Sequence, residues 1–154
     1  MKSRALVTLL LLSLTVISSA NAAAPVGPPP TVKSAFTNVK GQLVKKISFG
    51  RGCDGQTDYP HESTHFPLTV NVEALTECPG QEVSITTTIS RSRWWIFNEA
   101  KSVSAKGFQR VKVNVSLPCK WKIGQPPILY VVISHHSDSK GAQQNTETKA
   151  RIKC

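Results

Sequence analysis

Between Gln109 and Leu117 every second side chain is apolar: Val111, Val113, Val115 and Leu117 share one face, and Arg110, Lys112, Asn114 and Ser116 share the other. A repeat of two sends successive side chains to opposite sides of a pleated strand, so this stretch must lie with one face on a core and the other in water. The pattern recurs. Val83, Ile85 and Ile89 alternate with Ser84, Thr86, Thr88 and Ser90, and Leu68, Val70 and Val72 with Thr69 and Asn71. Near the end Ala150 and Ile152 alternate with Lys149, Arg151 and Lys153. Leu43 to Phe49 and Trp94 to Phe97 read as further strands. Ile128 to Ile133 (ILYVVI) is apolar on both faces, which predicts a central strand covered on each side.

No stretch carries a helical period. Turn-rich segments such as CPGQ (residues 78–81) and GQPP (124–127) separate the strands. About seven short strands with such punctuation predict an all-β fold, an immunoglobulin-like β-sandwich, with a small closed β-barrel as the alternative.

The chain ahead of this domain has a different character. Lys2 and Arg4 precede an apolar stretch from Ala5 to Ile17, and Ala20-Asn21-Ala22 follows as a small-residue cleavage site. This is the three-part layout of a secretory signal over residues 1–22. Its apolar part falls short of the roughly 20 residues a membrane span needs, and no later stretch comes closer. Residues 23–40 begin AAPVGPPP, a proline-rich arm that cannot join a ladder, and residues 41–154 form one β domain. Loss of the signal removes two cations and no acid, taking the formal charge from +10 to +8. The expected location is extracellular, or periplasmic in a bacterium.

Export gives the cysteines their meaning. All four (Cys53, Cys78, Cys119 and Cys154) follow the signal, none sits in a C-x-x-C pair, and an even count in an exported chain predicts two disulfides. If the last two strands form an antiparallel pair, the final one ends where the strand at 128–133 begins. Cys119 lies in the loop entering that strand, which pairs it with Cys154 and leaves Cys53 for Cys78.

Of the four histidines, His61 and His65 form a literal H-E-x-x-H. That motif binds zinc only on a helix with a third ligand, whereas Pro60 and Pro67 bracket this segment and favour a loop. No metal or other cofactor is expected. His135 and His136 are adjacent on a strand and must point to opposite faces. Ser/His/Asp catalysis and a phosphate-cradling glycine loop have no support. Asn114-Val115-Ser116 is a glycosylation sequon on an outward face.

Asp58-Tyr59-Pro60-His61, Arg110 at the head of a valine-rich strand, and Val132-Ile133-Ser134-His135 before a terminal cysteine resemble fragments of the secreted guanyl-specific fungal ribonucleases. The resemblance implies His61 and His135 as general acid and base, and Arg110 on the phosphate, with RNA as substrate. It covers these short fragments only. The family's N-terminal helix has no counterpart, and no glutamate between His61 and Arg110 lies in a matching motif.

Aromatic and basic residues cluster twice, in Arg91-Ser92-Arg93-Trp94-Trp95 and in Lys120-Trp121-Lys122. Cations beside tryptophan suit an anionic surface, a sugar or an acidic protein. The leading expectation is a secreted, basic, non-catalytic binding or effector-like module using Arg91, Arg93, Trp95, Lys120, Trp121 and Lys122. A ribonuclease-like toxin and a membrane-active antimicrobial protein are the alternatives.

Overall fold

A computed structural model describes residues 36–37, 41–93 and 96–154. The signal, most of the proline-rich arm, and Trp94 and Trp95 lie outside the described residues. The remainder is all-β, as the alternation predicts. Its strands are β1 (Phe36–Thr37), β2 (Leu43–Phe49), β3 (Cys53–Asp58), β4 (His61–Glu62), β5 (Thr69–Arg93), β6 (Ile96–Pro118), β7 (Ile128–Asp138) and β8 (Gln143–Ile152). Every pairing is antiparallel, and all strands belong to one sheet. β1 falls within the segment assigned to the arm and pairs with the start of β2.

The organising element is the β5–β6 hairpin, paired from Thr69↔Pro118 to Arg93↔Ile96. Sequence patterning splits each of these strands in two, reading CPGQ as a reversal. In the structure CPGQ is instead an irregularity between Glu77 and Glu82, with Gly80 at φ 68° and Gln109 opposite it at φ 64°. The chain folds over there without making a hairpin, and the buried side of β5 switches. Val70, Val72, Ala74, Thr76 and Cys78 are buried before it; Gln81, Val83, Ile85, Thr87 and Ile89 after it.

The lower half of the ribbon takes β3 and then β2 along its flank; the upper half takes β7 and then β8. Folded at the bend, the two halves become facing layers of one continuous, nearly closed sheet. The opposite edge is drawn together by Thr148 Oγ1, which donates to the Asp58 carbonyl at 2.8 Å, and by Lys45 Nζ, which donates to the Glu147 carbonyl at 3.2 Å. The sandwich and the barrel expected from sequence meet in this arrangement. Both expected disulfides are present, Cys53–Cys78 at the bend and Cys119–Cys154 at the far end.

Two apolar clusters fill the interior. One surrounds Phe49, Ala74, Val83, Ile85 and Cys53–Cys78; the other surrounds Val72, Ile89, Val115, Leu117, Tyr130 and Val132. They meet where Thr87 stands between Ile85 and Ile89, amid buried Thr57, Thr76, Ser134, His136 and Thr146. His136 is satisfied on both ring nitrogens, Nδ1 with Thr76 Oγ1 at 2.8 Å and Nε2 with Thr146 Oγ1 at 3.0 Å. A Cβ on Gly55 would come within 2.8 Å of its ring. That explains β3, which shows no apolar alternation: its inner positions, Cys53, Gly55 and Thr57, are small because an imidazole fills the space above them.

β7 is central, between β5 and β8, but it is not covered on both faces as ILYVVI predicts. Leu129 and Val131 are only half-buried and Ile133 is exposed. Its inner face packs on the core, with Tyr130 and Val132 against Val115 and Leu117 and His136 beside Phe49.

Candidate functional site

β5 serves as a ruler for the histidines and Arg110. His61 lies opposite Asn71, and Arg110 opposite Glu77, six residues further along (77 − 71), or about 20 Å at ~3.3 Å per residue. His135 lies opposite Thr86, beyond the bend, on the outer face of the upper layer. Arg110 sits on the outer face of the lower layer, so the core stands between the two. The fold does not bring the three together.

Each has a local partner. His61 Nδ1–H donates to the Tyr59 carbonyl at 3.0 Å, leaving Nε2 to accept from Gln42 Nε2 at 3.0 Å. Arg110 pairs with Glu77 at 3.0 Å, and His135 Nδ1 meets Asn145 Oδ1 at 2.6 Å. The H-E-x-x-H stretch is a short strand followed by a turn in which Ser63 Oγ accepts from the amides of His65 and Phe66. Its histidines therefore share no helix face. A groove of about 400 Å³ on the outer lower layer is lined by Lys46, Ser48, Asp54, Gln56, Leu75 and Glu77, with no histidine.

Arg91 and Lys120, one from each basic–aromatic cluster and far apart in sequence, converge on Glu99. Because β5 folds back on itself, its start and its end both lie at the end of the molecule opposite the bend. The loop after β6 and the end of β8 lie there too, joined by Cys119–Cys154. The Cys119 amide donates to the Leu68 carbonyl at 2.7 Å, tying in the loop before β5.

Within this end the candidates divide. Arg91 is 8% exposed, with Nη1 on the Pro118 carbonyl at 3.1 Å and Nη2 on Glu99. Its position faces the core, where the strand parity set by the bend places it, so it holds the ribbon's two ends together rather than meeting a partner. Beside it Tyr130 is fully buried, and burial raises its phenol pKa against the pull of the Arg91 charge. Lys120 also reaches Glu99, at 3.3 Å. Trp121 is half-buried over the apolar cluster beside Cys119 and Cys154, and its Nε1–H donates to the Gln125 carbonyl at 2.9 Å. Trp95 and the Arg93 side chain lie outside the described residues, although the Arg93 backbone pairs with Ile96 at this end.

What faces solvent is a partly different set. Lys122, Arg151 and Lys153 are exposed, and among the described residues none is in an ion pair. Around them stand Phe66, 68% exposed, Leu68, 67% exposed, and Ile123, 93% exposed. Patterning puts Leu68 inward with Val70 and Val72. Instead it precedes the strand at φ 55°, a left-handed backbone that turns it outward. Arg151 and Lys153 read in sequence as an ordinary polar strand face; the β7–β8 pairing and the Cys119–Cys154 bond bring them to the end that carries Lys122.

The end at the bend is differently charged. Arg51, Lys106, Arg110 and Lys140 there are equalled in number by Asp54, Glu77, Glu82 and Asp138, of which Glu77 pairs with Arg110, whereas Glu62 and the doubly engaged Glu99 are the acids at the Cys119–Cys154 end.

No protein-family model matches this chain, and no curated protein matches it either. The site must be read from its own chemistry.

Proposed function

We propose that this chain is a secreted, non-catalytic binding module that engages an anionic partner through the end carrying Cys119–Cys154. One observation carries the reading. Among the described residues the fold gathers Lys122, Arg151 and Lys153 at one end outside any ion pair, while the four cations near the bend stand among four acids, one of which, Glu77, pairs with Arg110. Such an uncompensated pole attracts anions and speeds their encounter. Two disulfides, and the lack of any helix long and apolar enough to cross a membrane among the described residues, are compatible with an extracellular setting. A ribonuclease role would need His61, Arg110 and His135 around one phosphate, and the β5 register holds them apart.

The test is retention on a dextran sulfate column. Lys122→Glu/Arg151→Glu/Lys153→Glu should elute at markedly lower salt than the parent. Arg51→Glu/Lys106→Glu/Lys140→Glu makes the same change in net charge at the bend and should elute later than the first variant. Equal elution of the two variants would reduce the binding to net charge alone and defeat the reading.

A further inference from the structure

Resting on the reading above, we infer that the anionic partner is a phospholipid surface, entered by Phe66, Leu68 and Ile123 while Lys122, Arg151 and Lys153 meet its head groups. The observation is the company these apolar residues keep. Three of the large hydrophobic side chains that the fold leaves exposed stand at one end, and that end is also the uncompensated cationic one.

Phe66, Leu68 and Ile123 line neither of two grooves formed by the described residues. Ile123 lies in a turn closed by the Gln125 amide on the Lys122 carbonyl at 3.1 Å, directly beside a lysine. Phe66 lies in the turn capped by Ser63 Oγ, two residues from Leu68. Those two grooves lie on the lower layer's outer face and at the bend beside Phe108 and Asp138. Separate apolar prongs interleaved with cations match a deformable amphipathic boundary, where alkyl and aromatic groups reach the acyl region and ammonium groups stay at the phosphates. A protein pocket, in contrast, demands one fixed concave fit.

Leu68 strengthens the case. A leucine at φ 55° adopts a backbone conformation that disfavours its Cβ, and here the result is a side chain held in water, tethered through its carbonyl to Cys119. Pro67 and Leu68 form the turn that leads into β5, and leucine there occupies a position of positive φ that glycine ordinarily takes. Strain of this kind tends to gather at contact sites.

Protein recovered from the medium of a secreting host, disulfides intact, is sedimented with vesicles of phosphatidylcholine alone or mixed with phosphatidylserine. Binding should require phosphatidylserine and weaken as salt rises. Single changes Phe66→Ser, Leu68→Ser and Ile123→Ser should each weaken vesicle binding by about tenfold while leaving dextran sulfate retention unchanged. Ile123→Trp should show a blue-shifted emission when anionic vesicles are added. Full vesicle binding by the triple serine variant would overturn the inference. So would a parent that is held by dextran sulfate yet ignores vesicles, an outcome that leaves the binding module itself standing. If the serine changes dissociate a dimer without altering vesicle binding, the prongs contact a second copy and the inference falls. A parent that binds neither probe removes both readings. Because all three positions are exposed turns, an unchanged far-ultraviolet dichroism spectrum is expected and shows that lost binding is not lost fold.

Discussion

The molecule has two ends, each closed by a disulfide, and they are built on opposite terms. At the bend, Cys53 and Cys78 are fully buried in an apolar cluster. Gly50 there fits against Ala142 and Asp138 so closely that an added Cβ would meet the Ala142 methyl at 2.9 Å. Asp138 holds its own turn through the amides of Lys140 and Ala142. At the other end Cys119 and Cys154 are half-buried at the edge of the second cluster, and loops carrying cations and bare apolar side chains hang from them. One disulfide sits inside the core; the other organises a surface.

Removing the disulfides one at a time is the strongest way to break that contrast. The bridges span 25 and 35 residues, and by chain entropy each contributes roughly 3–4 kcal/mol. Burial adds a further cost for the first, whose sulfurs lie among apolar neighbours. Cys53→Ser/Cys78→Ser puts two hydroxyls into that cluster and should cost more than Cys119→Ser/Cys154→Ser, with the larger fall in urea midpoint. The second variant should stay folded at low temperature yet lose retention on dextran sulfate, because its lysines and arginine are no longer held together. Equal losses of stability with equal retention would erase the distinction between the ends.

Acid probes the seam between the two clusters. Burial, with a smaller push from His135, lowers the His136 pKa to about 4, against an ordinary value of about 6.5 in the unfolded chain. The groups enclosing the ring are neutral: Thr76 on β5, Thr146 on β8, Gly55 on β3 and, at 6.4 Å, Phe49 on β2. In the window between these pKa values the unfolded chain takes up a proton that the folded chain refuses. Stability from this group is therefore complete above about pH 6.5 and falls as the pH drops toward 4, by roughly 3 kcal/mol in all. His136→Gln should lower stability at neutral pH and flatten this slope. A parent whose midpoint is level across the window would show that the imidazole is not buried as described.

Much of this architecture was legible from alternation alone: the inward Val111, Val113, Val115 and Leu117, the inward Val83, Ile85 and Ile89, and both disulfides. The long β5 was not, because CPGQ has the composition of a turn, and only the pairing with β6, continued on both sides of it, shows that the chain folds over there without making a hairpin. β3 escaped because its inner residues are small and polar, a choice dictated by His136 eighty-one positions away from Gly55 (136 − 55). For the site, the Lys120–Lys122 cluster was visible as a run. Arg151, Lys153, Phe66 and Leu68 were not, since neither a strand's polar face nor a leucine before a valine strand reveals that folding will set them side by side. Arg91 was misread for the same reason: sequence shows its charge, but only the shifted parity after the bend shows that it points inward.

The smallest effect compares one ion pair from each end. Arg91–Glu99 is nearly enclosed, the arginine side chain 9% and the glutamate 31% exposed, and Arg91 also satisfies the Pro118 carbonyl. Arg110–Glu77, at the bend, is 66% and 47% exposed. Water and salt screen the second pair, so Arg110→Ala should change stability by less than about 1 kcal/mol. Arg91→Ala leaves Glu99 with Lys120 as its remaining cation, strands the Pro118 carbonyl and opens space beside Tyr130. A loss of about 2–3 kcal/mol is expected, below the full cost of breaking a wholly buried pair because Lys120 persists. Arg91→Lys keeps the charge but not the fork that spans carbonyl and carboxylate, and should recover only part of the loss. Chemical denaturation of the three variants measures the difference directly. If Arg91→Ala proves as mild as Arg110→Ala, then Arg91 is free to meet a partner after all, and it rejoins Lys122, Arg151 and Lys153 on the binding surface.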